Sequence, residues 1–329
     1  MKKEFRISDF GFRIDRNGGS PLHSALRTPH SAFRNRNGFT LIEVMVVMTL
    51  LSLIVLVLMA VFNSTQAAFR AGVTQAGVLE SGRATMDLMA SDLRQMSPSM
   101  DSSNMLNGVP NCAVNFGAIV QAGYVPLVQP LVASGPAQSR TNVQESIFIL
   151  SRQNQTWTGV GYVVVASSPQ GDLDSLYRWT ATTNTQSAGD PAAALGYAFN
   201  NASLANMSHL MDGVVSLTVR AYDINGGLMA SNIVFSGGQA TANRNVYYLP
   251  STLGQTGFYM FSNTLPASVE IELGALEDRI LQRAGSLPNN LPAPPPNDQQ
   301  TMYLQGQAGA VHIFRQRVSI PNVDPSAYQ

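Results

Sequence analysis

The sequence predicts an α+β fold, in which a long N-terminal α-helix packs against a C-terminal antiparallel β-sheet head. Residues 39–62 are almost continuously apolar. Residues 63–97 then repeat apolar side chains every three or four positions, which is the period of one helical face. In residues 98–329, short β-branched runs alternate with clusters of Gly, Asn, Ser and Pro, which is typical of a sheet of short strands.

Charge divides the chain at residue 38. The whole sequence of 329 residues has 20 Lys and Arg against 20 Asp and Glu, so its formal net charge is zero. Residues 1–38 hold eight basic and three acidic side chains, a net charge of +5, and the remainder carries −5. We therefore expect residues 1–38 to be a separate leader. The acidic remainder argues against a nucleic-acid partner, which needs a clustered basic excess.

The apolar run predicts a transmembrane helix at residues 39–62. Its 24 residues span about 36 Å at ~1.5 Å per residue, more than the ~30 Å hydrocarbon core of a bilayer. Basic residues precede the run, and the positive-inside rule then places residues 1–38 in the cytoplasm. A secretory signal peptide is the alternative, but its apolar part is shorter and a small-residue cleavage site follows it. Ala67-Ala68 is the candidate for such a site.

Glu43 is the one charged side chain within this apolar run. A carboxylate inside a transmembrane helix costs roughly 2.5–3.5 kcal/mol on insertion scales, so it normally has a partner. If the chain were cut between Gly38 and Phe39, the new α-amine would lie near the same membrane depth. A neighbouring subunit, shifted by about one helical turn, would then place its amine against Glu43. The simpler interpretations are a plain single-pass anchor and an acid that reaches the membrane interface.

The junction Arg36-Asn37-Gly38-Phe39-Thr40-Leu41-Ile42-Glu43-Val44 resembles the processing motif of type IV prepilins and type II secretion pseudopilins. The resemblance implies that a membrane prepilin peptidase and methyltransferase cuts after Gly38 and N-methylates Phe39. It also implies that Glu43, fifth in the mature chain, guides assembly with other pilins or pseudopilins through the N-terminal helix. A leader of 38 residues is long for that family.

An amphipathic continuation of the helix is predicted over residues 63–97. Its apolar face points to core packing, and Ser97-Pro98 is expected to end the helix. The charged side chains are assigned to the other faces. The apolar face consists of Leu79, Gly82, Met86, Met89, Leu93 and Met96, and the charged side chains are Arg83, Asp87, Asp92 and Arg94.

The head sequence predicts eight strands, one short helix and one long loop. Asn225-Gly226 predicts a hairpin turn after the strand at 214–222. Residues 275–284 contain no helix breaker and predict a short helix, whereas the Pro-rich segment 287–297 predicts an exposed extended loop. The predicted strands are 146–150, 159–166, 176–180, 214–222, 233–235, 257–261, 268–273 and 311–320.

The head also resembles pseudopilin J and the minor pilin W group. Residues 89–95 are similar to the close of their first helix, residues 210–223 to a strand that enters the second half, and residues 265–273 and 314–321 to the final strands. This resemblance implies a minor pseudopilin, held by one span in the inner membrane with its head in the periplasm before it joins a type II secretion pseudopilus-like filament. The alternative is a minor type IV pilus subunit whose head binds a ligand, in adhesion or DNA uptake.

The sequence predicts no catalytic, cofactor-binding or metal site. After the leader, His209 and His312 remain, placed in a polar loop and in a strand, without zinc ligands at the usual spacing. Cys112 is the only cysteine, so no intrachain disulfide is expected. Asp172 and Asp174 hint at a calcium loop but lack the further ligands of an EF-hand, which favours a strand-entry turn. We therefore expect a structural subunit rather than a membrane-tethered enzyme.

Overall fold

The computed structural model describes most of the chain after the leader. It describes residues 39–100, 105–106, 109–110, 113–120, 126–131, 138–166, 174–184, 190–229, 235–236, 239–240, 246–249, 257–287 and 299–325. The predicted leader, residues 1–38, and the predicted Pro-rich loop, except its first residue, lie outside these ranges. The chain divides into two compact units, Met1–Asn63 and Ser64–Gln329.

A single helix of 54 residues covers both the apolar run and its amphipathic continuation, as predicted. It ends at Arg94, just before Ser97-Pro98. The short helix expected at 275–284 begins later than predicted, because Ala275 and Leu276 belong to the preceding strand. The helices are α1 (Leu41–Arg94), α2 (Pro191–Asn200), α3 (Asp278–Gly285) and α4 (Gln299–Gln305).

The head is built from antiparallel strands. In chain order these are β1 (Met105–Leu106), β2 (Val109–Pro110), β3 (Val114–Val120), β4 (Leu127–Pro130), β5 (Ser139–Asn142), β6 (Glu145–Gln153), β7 (Thr156–Ala166), β8 (Asp174–Asn184), β9 (Met207–Asp212), β10 (Val214–Tyr222), β11 (Phe235–Ser236), β12 (Gln239–Ala240), β13 (Val246–Leu249), β14 (Gly257–Phe261), β15 (Ser268–Leu276) and β16 (Val311–Ser319).

Two sheets dominate the head. The large sheet has nine strands in the order β11-β12-β13-β14-β3-β6-β7-β8-β9, and the small sheet has three in the order β10-β15-β16. The pairs β1-β2 and β4-β5 form separate ribbons. Every ladder between named strands is antiparallel, which agrees with the fold class predicted from the sequence.

Seven of the eight predicted strands coincide with an observed strand, and 214–222 and 257–261 match β10 and β14 at both ends. The prediction at 233–235 falls mostly outside the described residues. The turn predicted at Asn225-Gly226 is present, although the long partner of β10 lies elsewhere in the chain. Gly226 has φ 80°, and among the described residues one antiparallel bridge, Tyr222 to Leu228, closes the turn, whereas β10 forms its ladder with the distant β15.

The main core lies where both sheets pack on the C-terminal part of α1. It contains Met86, Met89 and Leu93 of the helix together with apolar side chains of β3, β6, β7, β10 and β15. Burial of such side chains stabilises a fold by roughly 1.5–3 kcal/mol each. The prediction that the apolar face of this helix packs in the core of the head is therefore confirmed.

Two smaller cores cover the outer faces of the sheets. On the large sheet, α2 packs over the two tryptophans, Trp157 and Trp179, each 5% exposed. On the small sheet, α3 and α4 cover Val215 and Leu276. The head is thus layered, with α1 in the inner layer.

A short polar seam joins the two sheets at residues 143–145. The carbonyl of Val143 accepts a hydrogen bond from the Leu217 N–H at 2.9 Å. The Gln144 side chain donates to the carbonyl of Val214 at 3.0 Å. The Glu145 carboxylate accepts from the Val219 N–H at 2.7 Å. Each of these contacts links the start of β6 with β10, so the seam sets the position of the small sheet against the large one.

Candidate functional site

The helix α1 begins at the predicted processing junction. Phe39 and Thr40 are the first residues that the structure describes, and both precede the first helical residue, Leu41. Thr40 therefore occupies the N-cap position and Glu43 the third helical position. Gly38, on the other side of the predicted cut, lies outside the described residues.

Thr40 and Glu43 form a reciprocal cap at this end of the helix. The backbone N–H and the hydroxyl of Thr40 each donate to Glu43 Oε2 at 2.9 Å. In return, the Glu43 N–H donates to the Thr40 hydroxyl oxygen at 3.4 Å. This is a capping box, which satisfies backbone donors that a helix start leaves without intrahelical partners. The sequence Thr-Leu-Ile-Glu has the capping-box pattern, so it already indicates Thr40 as a partner of Glu43. The prediction from sequence missed this pair.

The other oxygen of the carboxylate accepts no hydrogen bond within the described part of the chain. Glu43 Oε2 receives both bonds from Thr40, and Oε1 receives none from any residue that the structure describes. A carboxylate accepts several hydrogen bonds at once. Glu43 can therefore cap its own helix and still accept a donor from outside the chain.

The apolar part of α1 has no partner in the described part of the chain. From Leu41 to Phe62 every residue is exposed, including Leu41 at 79% and Leu56 at 71%. By length and composition, α1 is the one described helix that could cross a membrane. A bare apolar surface of this length is what a lipid-facing span requires.

The prokaryotic N-terminal methylation motif matches residues 33–59, which covers the junction and most of the apolar run. This match supports a pilin- or pseudopilin-type subunit. The rest of the sequence lies outside this match, and comparison with curated proteins and with solved structures gives no match. The resemblance of the head to pseudopilin J and the minor pilin W group stays a prediction.

The structure corrects the predicted position of Asp92. The sequence pattern assigned Asp92 to a polar face of the helix, but its side chain is only 8% exposed. Arg178 of β8 holds it with two hydrogen bonds, from Nε at 2.9 Å and from Nη2 at 3.1 Å. The Tyr162 hydroxyl of β7 donates to the same carboxylate. This cluster ties the last turns of α1 to the large sheet.

The electrostatics of this cluster are those of a fixed ion pair. Burial raises the pKa of the Tyr162 phenol, and the hydrogen bond to Asp92 and its negative charge raise it further. Burial alone would lower the pKa of Arg178, but the hydrogen bond and charge of Asp92 outweigh it and raise that pKa. Both groups therefore keep their protons at neutral pH. A polar cavity of about 300 Å³ lies beside the cluster, lined mainly by amide and hydroxyl groups.

The remaining candidate residues are scattered over the head. His209 lies in β9, not in a loop as expected, and its Nε2 is 2.7 Å from Asp212. His312 lies in β16, as predicted, 3.2 Å from Glu277. Asp174 starts β8 and is buried, while Asp172 and Cys112 fall outside the described residues. Within the described ranges, no three His, Cys, Asp or Glu side chains are grouped to hold a metal ion.

Proposed function

We propose that this chain is a minor pseudopilin, a structural subunit of a periplasmic type II secretion pseudopilus-like filament. The match of residues 33–59 to the N-terminal methylation motif carries the proposal, because that motif implies processing by prepilin peptidase and assembly with other pilins. The exposed apolar stretch of α1 supports a single-pass anchor in the inner membrane, with the head in the periplasm.

In this proposal the four parts of the chain have different roles. Residues 1–38 are the cytoplasmic leader that is removed, and the cut lies between Gly38 and Phe39, with N-methylation of Phe39. Residues 39–62 hold the subunit in the membrane, and residues 63–97 continue as the amphipathic helix. Residues 98–329 form the head. The change from +5 in the leader to −5 in the remainder supports this division, because basic residues are retained on the cytoplasmic side.

Glu43 is the proposed assembly residue. Its Oε1 is open to a donor from outside, while Oε2 caps the helix through Thr40. After the cut, the N-terminal amine of Phe39 in a neighbouring subunit supplies a positively charged donor. Pairing the two groups removes the cost of leaving a lone carboxylate in the apolar region.

Two alanine variants separate assembly from helix capping. Thr40→Ala removes the hydroxyl of the capping box but leaves the Glu43 carboxylate in place. Glu43→Ala removes both the cap and the proposed partner of the amine. We expect Glu43→Ala to be processed and inserted but absent from filaments, and Thr40→Ala to assemble. Cross-linking of filaments followed by immunoblotting measures this, and equal incorporation of both variants would rule out the assembly role of Glu43.

Processing is tested by the mass of the mature chain. Replacing Gly38 with a bulkier residue such as Val is expected to leave the leader attached, whereas the wild-type chain begins with N-methylated Phe39. Intact-mass measurement reads the cut and the methyl group together. Identical masses for the wild type and the variant would refute the proposed cleavage position.

A deletion strain separates the secretion filament from the alternative pilus. Loss of a minor pseudopilin is expected to trap secreted enzymes in the periplasm and to leave surface pili intact. Loss of surface pili with normal secretion would instead assign the chain to a type IV pilus.

A further inference from the structure

Among the residues that the structure describes, the small sheet ends in an open edge at β16. All nine residues of β16 pair with β15 on one side. On the other side, no residue in the described ranges forms a ladder with β16. The opposite edge of the same sheet is different, because β10 meets the start of β6 through the polar seam. The N–H and C=O groups of every second residue of β16 face this side, and such a row is a template for one further strand.

On one face of the small sheet, basic and acidic side chains alternate from strand to strand, and the strand at the open edge is basic. One row of directly opposed residues is Arg220, Glu270 and Arg317, and the neighbouring row places Glu272 opposite Arg315. These side chains lie on the sheet face opposite the core residue Ile271, because neighbours along a strand point to opposite faces. Both rows end in an arginine on β16.

The contacts leave this face with more positive than negative charge. Glu270 and Glu272 are both held by two arginines: Arg220 bonds Glu270 at 2.9 Å, and Arg315 bonds Glu272 from Nε at 3.0 Å. Arg317 has neither carboxylate as a partner: it lies 3.9 Å from the Tyr222 ring centroid and donates to Ser268. The excess positive charge therefore lies on the outermost strand, where Arg315 is 57% exposed.

We propose that the open edge of β16 binds an extended acidic segment of a partner protein as a fourth strand of the small sheet. The segment carries two acidic residues at alternate positions, which continue the rows that end in Arg315 and Arg317. Cross-strand pairs of opposite charge are favourable and like charges destabilise, so the two rows select an acidic strand. This surface belongs to the head and goes beyond assembly through the N-terminal helix.

A second copy of this chain does not supply the segment. The sequence has two acidic residues at alternate positions in two places, at Asp172 and Asp174 and at Glu270 and Glu272. Glu270 and Glu272 lie in β15, which is paired on both sides. Asp174 is buried at the start of β8, which pairs with β7 and β9. The partner is therefore a different protein.

Synthetic peptides test the proposal on the full chain in detergent micelles. The probe is fluorescein-labelled Thr-Val-Glu-Val-Glu-Val-Thr, compared with versions in which Gln or Lys replaces both Glu. By fluorescence anisotropy, we expect the Glu peptide to bind at least about tenfold more tightly than the Lys peptide, since two cross-strand charge pairs change sign. Hydrogen exchange is expected to slow at the amides of residues 311–319 when the Glu peptide is bound.

Matched variants locate the binding. Arg315→Glu with Arg317→Glu is expected to invert the preference, so that the Lys peptide binds better. Arg70→Glu with Arg83→Glu changes the net charge equally on exposed positions of α1 and is expected to leave the preference unchanged. If the first pair does not fold, Arg315→Gln with Arg317→Gln should abolish the discrimination between peptides.

Backbone pairing has its own control. The Glu peptide with N-methyl groups on alternate residues keeps its charges but loses hydrogen bonds along one edge. Of the two possible alternating patterns, one is expected to abolish binding. The proposal is overturned if no peptide binds, if both methylated peptides bind as well as the parent, or if protection appears away from β16. In each of those cases the two arginines serve only to keep the edge unpaired.

Discussion

Replacing Glu145 with Gln tests the polar seam between the two sheets. Glu145 is 4% exposed, and burial raises its pKa from 4.5 to about 7, although the Val219 hydrogen bond and the charge of Arg220 oppose the rise. Each pKa unit corresponds to about 1.4 kcal/mol, so the rise from 4.5 to about 7 amounts to about 3 kcal/mol. Gln keeps an oxygen for the Val219 N–H and removes the titration.

The direction of the pH effect follows from the raised pKa. The folded head binds the proton more tightly than the unfolded chain, so the stabilising contribution is complete below pH 4.5, the ordinary pKa of Glu. It is lost as the pH rises through about 7. Between pH 4.5 and pH 8 the free energy of unfolding of the wild type should therefore fall by about 3 kcal/mol relative to Glu145→Gln. For a domain of this size, that is about 6 to 12 °C in Tm.

Tryptophan fluorescence is the appropriate assay. Both tryptophans of the chain, Trp157 and Trp179, are buried in the head, so their emission follows unfolding of the head in the full chain in detergent. The difference in Tm between Glu145→Gln and the wild type is measured from pH 4.5 to pH 8.5. Taking this difference cancels the contributions of the other titrating groups, which both proteins share. Parallel curves across this range would refute the burial of a titrating carboxyl in the seam.

Further predictions concern α1 in the head and use the same fluorescence assay. A Cβ at Gly82 would lie 2.3 Å from the Phe314 ring, so Gly82→Ala should lower the free energy of unfolding. Gly77, with nothing within 4 Å, is the matched control, and Gly77→Ala should raise it by up to ~1 kcal/mol; equal effects would contradict the close packing. Asp92→Ala should cost about 3–5 kcal/mol because it leaves a partly buried arginine without its anion. Tyr162→Phe should cost about 1.5–3 kcal/mol, since a hydrogen bond to a charged group is lost. Unchanged melting of both would show that the ion pair is not formed.

Regular patterns in the sequence predicted the elements that depend on local chemistry. The period of the apolar residues predicted the burial of Met86, Met89 and Leu93, because helix geometry alone places them on one face. The β-branched run at 214–222 predicted β10 at both ends. Prediction of the junction at Phe39 and Glu43 depended on a short motif, which the match at residues 33–59 supports.

Other elements were missed although the sequence contained their signals. The helix α2 follows Asp190, whose carboxylate accepts hydrogen bonds from the N–H groups of Ala192 and Ala193, and Pro191 is its first residue. An acidic N-cap followed by Pro is a helix-start signal. β3 was missed because Asn115 and Gly117 interrupt its apolar pattern. The Asn115 amide donates to the carbonyls of Ser262 and Thr264, which follow β14, and the Tyr259 ring of β14 lies against Gly117.

Contacts between residues that are far apart along the chain could not be predicted from the sequence. Asp92 reads as a solvent-facing charge on a helix, and its partner Arg178 is 86 residues away along the chain. The pairing of β10 with β15 has the same character, because the local Asn225-Gly226 turn predicted a hairpin whereas burial of the apolar face favoured a distant strand. In both cases tertiary packing overrode a correct local signal.

Two of the contacts between α1 and the head also bear on how the molecule responds to mechanical force. Gly82 seats against Phe314 of the small sheet, and Asp92 is held by Arg178 of the large sheet. These points are ten residues apart, about 15 Å along the helix. A pull along the helix axis loads both in shear, so both must yield together, whereas a sideways pull peels them apart one after the other. The head should therefore resist tension along the helix more strongly than across it.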